Sequence, residues 1–248
     1  IAEQFPEARM ASRQMAYLYN RMGRRHEANR VLKRLALEGD VLQEELVALL
    51  IESDAMSLDS DQASPIGSRV YLPIGAAAKA RALWTQSQYK DAVALLEPLI
   101  CEGRACASDR ALYGVCLSEA QLDEKARAWL ARAGDDLQMY PEYWAAVGNL
   151  CFGSRDWKAA TGAYREAVAR DPSDIRTVRR LRQCLSELGD EQAAKKWSQR
   201  FDDLIAVVEL RTQMASRDTP DPQIYEAMAK ALSKLERNIE AISWSWLA

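Results

Sequence analysis

The sequence contains almost no histidine, which restricts the chemistry it can perform. His26 is the only histidine in 248 residues, and it lies in the charged segment Gly23–Glu27. A Ser-His-Asp or Cys-His site would need a carboxylate or a nucleophile to converge on that imidazole, and the sequence indicates none. We interpret His26 as a solvated turn residue. We therefore expect no catalytic residue, no metal ligand and no cofactor.

Cysteine is also sparse, and no two cysteines have the C-x-x-C spacing of a zinc or redox motif. Three of the five cysteines lie on helical faces that we assign to the core, and because free cysteine is among the most frequently buried residue types we interpret them as buried reduced thiols. A disulfide between Cys101 and Cys106 is an open alternative, and the redox compartment stays open with it. The five are Cys101, Cys106, Cys116, Cys151 and Cys184.

Long apolar runs, phosphate-binding loops and an excess of positive charge are missing as well. Although 48% of the residues are hydrophobic, no run approaches the roughly 20 residues that span a bilayer. A net charge of -3 argues against a general nucleic-acid binder. No signal-peptide pattern is present, but a targeting segment could have been trimmed, so the location stays open with the cytoplasm slightly favoured. Because the chain begins at Ile1 and ends on the apolar run 244–248, we expect a segment of a larger protein.

Small residues recur at a period of about 34 residues, a length typical of helical repeat arrays. Small residues where two antiparallel helices cross allow the helix axes to approach to about 8 Å. Apolar residues recur three and four apart within each period, which is typical of amphipathic helices. The period therefore predicts stacked helix hairpins, since one hairpin cannot bury its own apolar face. The recurring residues are Ala92, Ala126, Ala160 and Ala194; Gly114 and Gly148; Ala133 and Ala167.

The segment Pro141–Asp174 resembles the tetratricopeptide repeat family. It carries an aromatic residue, an apolar–glycine pair, an alanine, a second aromatic, a second alanine and a closing proline: Trp144, Val147, Gly148, Ala160, Tyr164, Ala167 and Pro172. The resemblance implies an all-α fold, a right-handed superhelical solenoid of antiparallel helix hairpins with about five to six repeats. We interpret 1–248 as a single domain with these parts: an irregular repeat 9–42, an irregular helix and loop 43–72, regular repeats 73–106, 107–140, 141–174 and 175–208, and a truncated repeat 222–248.

The period breaks at two places. The interval from Ala28 to Ala92 falls short of two full periods, and the segment 53–72 within it has a loop composition rich in Ser, Asp, Pro and Gly. Asp59 and Asp61 hint at a calcium loop, but the glycine and glutamate that such a loop requires are missing. A loop of this length is either functional or mobile. The interval from Ala194 to Ala241 exceeds one period, which predicts a lengthened helix to about Ala215 and a turn at 219–222.

The resemblance also implies a binding groove lined by the first helix of each hairpin. Arg176, Arg180 and Asn149 resemble part of the carboxylate clamp with which some family members hold a peptide's C-terminus. The match is partial, because the other clamp positions are Ala111, Val115 and Ala146. The predicted groove residues are Arg81, Trp84, Leu112, Val115, Asn149, Phe152, Arg176, Arg179, Arg180 and Gln183.

Other interpretations of the groove and of the whole chain stay open. The arginines of 176–182 would also suit a solvated helix face, paired with Glu187 or Asp174. Our leading hypothesis is a non-catalytic scaffold that binds a protein or peptide, with an acidic or C-terminal carboxylate end. The alternatives are a structural arm of a larger enzyme or envelope protein and, third, single-stranded RNA binding. We expect no nucleic-acid partner and no membrane span, and the oligomeric state is open.

Overall fold

The computed structural model describes residues 6–50, 72–217 and 219–248, and every regular element within these ranges is a helix. The all-α prediction is therefore confirmed, in the form of successive helix hairpins. The predicted loop 53–72 lies almost wholly outside the described residues. The helices are α1 Pro6–Arg21, α2 Arg25–Leu37, α3 Gln43–Leu50, α4 Gly75–Thr85, α5 Tyr89–Cys101, α6 Ala107–Glu119, α7 Asp123–Leu130, α8 Pro141–Gly153, α9 Trp157–Arg170, α10 Ile175–Glu187, α11 Glu191–Ala215, α12 Pro222–Lys234 and α13 Asn238–Leu247, with a 3₁₀ helix at Asp135–Leu137.

A single turn geometry joins the two helices of each hairpin. One residue of the turn has a left-handed φ between 58° and 73°, and the next N–H donates to the carbonyl five residues before it, as Gln88 does to Leu83 at 2.9 Å. This is the Schellman arrangement, which satisfies carbonyls at the end of the first helix. The left-handed residues are Gly23, Ser87, Gln121, Arg155, Gly189 and Glu236. Four of these residues, Ser87, Gln121, Arg155 and Gly189, recur at the same 34-residue period as the alanines. The turns between paired helices therefore repeat with the sequence period.

The alanines at 92, 126, 160 and 194 occupy equivalent places in the second helices. Each donates its N–H to the carbonyl of the residue that precedes the second helix, as Ala160 does to Asp156 at 2.9 Å. Each is also buried, from 0% exposed at Ala92, Ala126 and Ala160 to 8% at Ala194. A side chain no larger than a methyl group at this point lets the two helices of a hairpin pack closely.

The described chain divides into two compact units, and the interpretation of 1–248 as one domain stays a prediction. One unit, 79–202, contains most of the hairpin α4–α5, all of α6 to α10 and the first part of α11. The other comprises the segments 1–78 and 203–248 and so contains the first and last hairpins with α3. We call them the central unit and the terminal unit.

In the terminal unit, the last helix packs against α2 and α3. Arg237 is 5% exposed and donates to the carbonyl oxygens of Leu49 at 2.6 Å and Leu50 at 3.0 Å, beside the buried carboxylate of Glu240. Trp244 is fully buried. The two ends of the described chain therefore share one core.

Two second helices depart most in length from the 14 residues of α9. α11 has 25 residues and ends at Ala215, as the long interval from Ala194 to Ala241 predicts. α7 has only 8 residues and ends at Leu130, so Ala133 lies beyond its end while Ala167, one period later, is helical. The sequence period did not indicate this early end.

Candidate functional site

The predicted groove residues lie on the first helices of the central unit, and we call this set of side chains the inner face. Its apolar members are packed rather than open, since Leu112 is 2% exposed and Val115 is 1% exposed. Ala111, Ala145 and Ala146 lie beside them and are also buried. The apolar middle of the inner face is therefore core that supports the polar side chains.

A buried ion pair links α4 to α8. Arg81 Nη2 lies 2.6 Å from Glu142 Oε1, and the two side chains are only 2% and 7% exposed. The mutual attraction of such a pair roughly offsets the cost of removing both charges from water, but removing one partner leaves a buried charge uncompensated. The pair therefore fixes the position of α4 relative to α8 rather than offering charge to a ligand.

A second link joins α10 to α4. The guanidinium carbon of Arg176 lies 4.5 Å from the centroid of the Trp84 ring, and Nη2 of Arg176 donates to the carbonyl oxygen of Thr85 at 2.7 Å. A guanidinium group over an indole face is favoured by the ring quadrupole. Trp84 itself is 4% exposed, so it acts as a platform for Arg176.

Arg180 is the centre of a polar network on α6, α8, α9 and α10. Its Nη1 donates to Asn149 Oδ1 at 2.5 Å, and its Nη2 donates to Glu119 Oε2 at 2.6 Å. Tyr164 donates its hydroxyl to the same Asn149 oxygen at 2.9 Å. Asn149 in turn donates to Ser118 at 2.8 Å. These bonds hold the guanidinium group in one orientation.

The electrostatics of this network follow from burial. Burial alone would lower the pKa of Arg180, but the nearby Glu119, Tyr164 and Tyr89 together outweigh it and the pKa is raised, so the guanidinium stays charged. Burial raises the pKa of Tyr164, which therefore stays a neutral hydroxyl donor. The network is thus ionised at Arg180 and neutral at Tyr164 at neutral pH.

The remaining predicted residues lie at the exposed edge of the inner face. Phe152 is half-buried, with its ring centroid 5.1 Å from that of Trp157 and 6.0 Å from the Arg180 guanidinium carbon. Arg179 and Gln183 are exposed, and within 6–50, 72–217 and 219–248 neither has a side-chain partner.

Apart from Arg179 and Gln183, the predicted residues are packed against neighbouring helices or bonded to them. Arg180 pairs with Glu119, and neither Arg176 nor Arg180 pairs through its side chain with Glu187 or Asp174, the partners that the solvated-face alternative named. Sequence reasoning did not identify Glu119 and Glu142 as the internal anions. The one feature of the sequence that could have identified them is that each is an acidic residue at an inward-facing position of the first helix of its hairpin.

The cysteines offer no second reactive centre on the inner face. All five are free thiols, with Cys116 and Cys184 buried, so the Cys101–Cys106 disulfide is not formed here. Burial raises the pKa of Cys184 to about 11 and also raises that of Cys116, which keeps both thiols protonated and unreactive.

In the described part of the chain no three His, Cys, Asp or Glu side chains cluster as metal ligands. Among the described helices none has the length and apolarity to cross a membrane.

Comparisons with known proteins give only distant likeness. No protein-family model matches the chain, and no curated protein matches it. A solved structure described as "Crystal structure of MamA" is 12% identical, with a TM-score of 0.39, over 68% of this chain and 91% of that one. Another, "MamA MSR-1 C2", is 15% identical, with a TM-score of 0.36, over 68% of this chain and 90% of that one. At this similarity nothing about the function of those proteins transfers to this chain.

Proposed function

We propose that this chain is a non-catalytic scaffold that binds a segment of a partner protein along one face of α10. The face comprises Arg176, Arg179, Arg180 and Gln183, which follow the i, i+3, i+4, i+7 spacing of a single helix side. The partner segment carries an acidic residue or a C-terminal carboxylate, because guanidinium groups bind carboxylates through two parallel hydrogen bonds.

One observation carries this proposal: the basic face is pre-organised and only partly neutralised. Glu119 neutralises Arg180, whereas the described residues provide no ion pair for Arg176 or Arg179. Arg176 is oriented by Trp84 and the Thr85 carbonyl, so little side-chain entropy is lost when it binds an anion. Phe152 adds a half-buried aromatic ring at the edge of the same face.

The buried groove residues have a supporting role in this proposal. Arg81, Trp84, Leu112, Val115 and Asn149 are each less than 9% exposed, so a partner segment would not contact them over any large area. They hold α10 and its arginines in place. The segment lies over the exposed edge, with its carboxylate near Arg176 and Arg179.

Fluorescence anisotropy with matched peptides tests the proposal. The first pair of peptides shares one acidic sequence and differs only at the C-terminus, which is a free carboxylate in one peptide and an amide in the other. The second pair has the same two C-termini, but Asn and Gln replace the Asp and Glu near the end. We expect the acidic, free-carboxylate peptide to bind more tightly. Arg179→Ala should weaken its binding about two- to fivefold, the range expected of an exposed ion pair.

Arg165→Ala is the matched control, because Arg165 is an exposed arginine on α9 with no partner among the described side chains. It removes the same charge without touching the α10 face. Equal binding of the acid and amide peptides would contradict the proposal. An equal loss of peptide affinity in Arg165→Ala would also contradict the proposal. It would indicate a nonspecific, salt-screened attraction between the peptide and the positive charges of the protein.

A further inference from the structure

A second candidate site is a cleft of about 320 Å³ in the central unit, formed by α5, α6, α7 and the 3₁₀ helix. None of its lining residues belongs to α10. Its walls are mainly apolar: Ile100, Tyr113, Ala128, Trp129, Ala133 and Leu137. A cleft of this kind, with an apolar interior and a few polar groups at its rim, is the usual form of a binding pocket.

The cleft exists because the second helix of this repeat stops early. α7 ends at Leu130, and the cleft is lined by Trp129 on its last turn and by residues beyond its end, among them Arg132 and Ala133. Trp129 Nε1 donates to the carbonyl oxygen of Arg110 at 3.0 Å, which holds the indole as one wall. The opening is thus built by the fold and not by loose side chains.

The charges at the rim are unequally matched. Lys125 Nζ lies 2.6 Å from Glu97 Oε1, and Arg110 pairs with Asp136, so both pairs are neutral overall. Arg132 is exposed and lines the cleft, and no carboxylate in the described ranges pairs with it. The rim therefore has one uncompensated positive charge beside an apolar interior.

We propose that this cleft binds a segment of a partner protein that inserts one large apolar or aromatic side chain, with a neighbouring Asp or Glu of the segment paired to Arg132. The occupant is a protein segment and not a free small molecule because much of the rim is exposed, including Cys101, Lys125 and Ala128. Small-molecule sites bury most of their ligand, whereas a side chain tethered to a longer segment needs only its tip enclosed. This site is separate from the α10 face.

Cys101 provides a direct reporter of occupancy, since it is an exposed free thiol at the rim. The probes are synthetic peptides with a central Trp-Asp or Leu-Glu pair, and their counterparts with Ala for the apolar residue or Asn and Gln for the acid. We expect the parent peptides to slow alkylation of Cys101 by iodoacetamide, measured by mass spectrometry, and both counterparts to protect it less. Arg132→Gln should weaken binding about two- to fivefold, and Ala128→Trp should abolish protection by filling the rim.

Matched variants test whether binding depends on the cleft alone. Arg127→Gln removes an exposed charge on the same helix outside the cleft, and Ala159→Trp adds an indole at an exposed position on α9; both should leave binding unchanged. Arg179→Ala should also leave it unchanged, so failure at the α10 face and failure at the cleft are distinguishable.

Three results would overturn the cleft proposal. The first is the absence of Cys101 protection by any parent peptide up to millimolar concentration. The second is equal protection in the Ala128→Trp variant. The third is binding of a free indole carboxylic acid as tight as that of the peptides, which would make the occupant a small molecule.

Discussion

The repeats 107–140 and 141–174 have the same length and the same turn, yet their second helices differ. α9 runs for 14 residues, whereas α7 stops after 8. The residues that continue α9 include Val168, Ala169 and Arg170, and the equivalent positions of the earlier repeat hold Gly134, Asp135 and Asp136. Glycine and aspartate favour α-helix less than alanine and arginine, which disfavours an α-helix through 134–136 like the one through 168–170.

This difference decides which repeat is filled and which is open. In the later repeat, Ala167 and Val168 are 1% and 5% exposed, so the second helix completes the packing. In the earlier repeat, Ala133 is half-buried, Gly134 is exposed, and the cleft lies beside them. The small residues that the two repeats share determine how closely their helices cross. The local helix propensity determines whether the second helix is long enough to cover the apolar side chains of its repeat.

The largest expected effect on stability comes from a substitution at the second position of repeat 141–174, where the residue of repeat 107–140 is introduced. Glu142→Ser copies Ser108 and removes the Glu142 carboxylate that lies 2.6 Å from the buried Arg81 guanidinium. We expect the free energy of unfolding to fall by about 3–5 kcal/mol in chemical denaturation.

The double variant Arg81→Leu with Glu142→Leu should recover most of that loss, since two apolar residues replace the pair. Glu166→Ser on the exposed side of α9 is the control, because its partner Arg170 is a surface neighbour, and it should change stability by less than about 1 kcal/mol. A loss for Glu142→Ser as small as the control's would show that the pair does not hold α4 to α8.

Gly114 and Gly148, which occupy equivalent positions in the two repeats, should respond unequally to alanine. A Cβ at Gly148 would lie 2.5 Å from Tyr164 Cε1, and a Cβ at Gly114 would lie 2.2 Å from Trp129 Cζ2. Tyr164 is fully buried and tied to Asn149, whereas Trp129 is only partly buried and borders the cleft, so its ring can shift into that space at the cost of its hydrogen bond to Arg110. Overpacking costs roughly 1–3 kcal/mol. We expect Gly148→Ala to lie at the upper end of that range in thermal and chemical unfolding and Gly114→Ala at the lower end. The reverse order would mean that the cleft does not relax the earlier repeat.

Grafting the end of α9 onto α7 should remove the difference between the repeats. The triple variant Gly134→Val, Asp135→Ala and Asp136→Arg supplies the residues of the later repeat. We expect far-ultraviolet circular dichroism to show added helix, with a gain of about 1 kcal/mol in helix propensity partly offset by the lost Arg110–Asp136 pair. Alkylation of Cys101 should slow even without peptide, because the cleft is filled. Unchanged helix content would show that propensity does not end α7.

The smallest expected effect concerns the turn that the two repeats share. Gln121 and Arg155 have left-handed φ values of 59° and 58°, where a residue with a Cβ is strained. Gln121→Gly and Arg155→Gly should each raise the free energy of unfolding by up to about 1 kcal/mol. Gly189→Ala, at the equivalent turn, should lower it by a similar amount. If Gln121→Gly and Arg155→Gly raised the free energy of unfolding by unequal amounts, the turn would account for part of the difference between the two repeats.

Much of the hairpin array could be predicted from sequence because its determinants are local and periodic. The four alanines at 92, 126, 160 and 194 are all buried at the same helix position, and the long interval from Ala194 to Ala241 predicted the end of α11 at Ala215. The turns were harder to predict, since glycine marks only Gly23 and Gly189 among the six. The early end of α7 was missed because the alanine period continues through Ala133 although the helix does not.

The candidate site was predictable as a set of inward positions but not as a set of bonds. The sequence alone determined which helix face each arginine occupies, because that depends on the 3.6-residue periodicity within one helix. Only the tertiary structure decided that Arg81 pairs with Glu142 and that Arg176 stacks on Trp84. These contacts join residues on helices that are far apart in the chain. Such contacts depend on how successive hairpins stack, and no local pattern encodes that geometry.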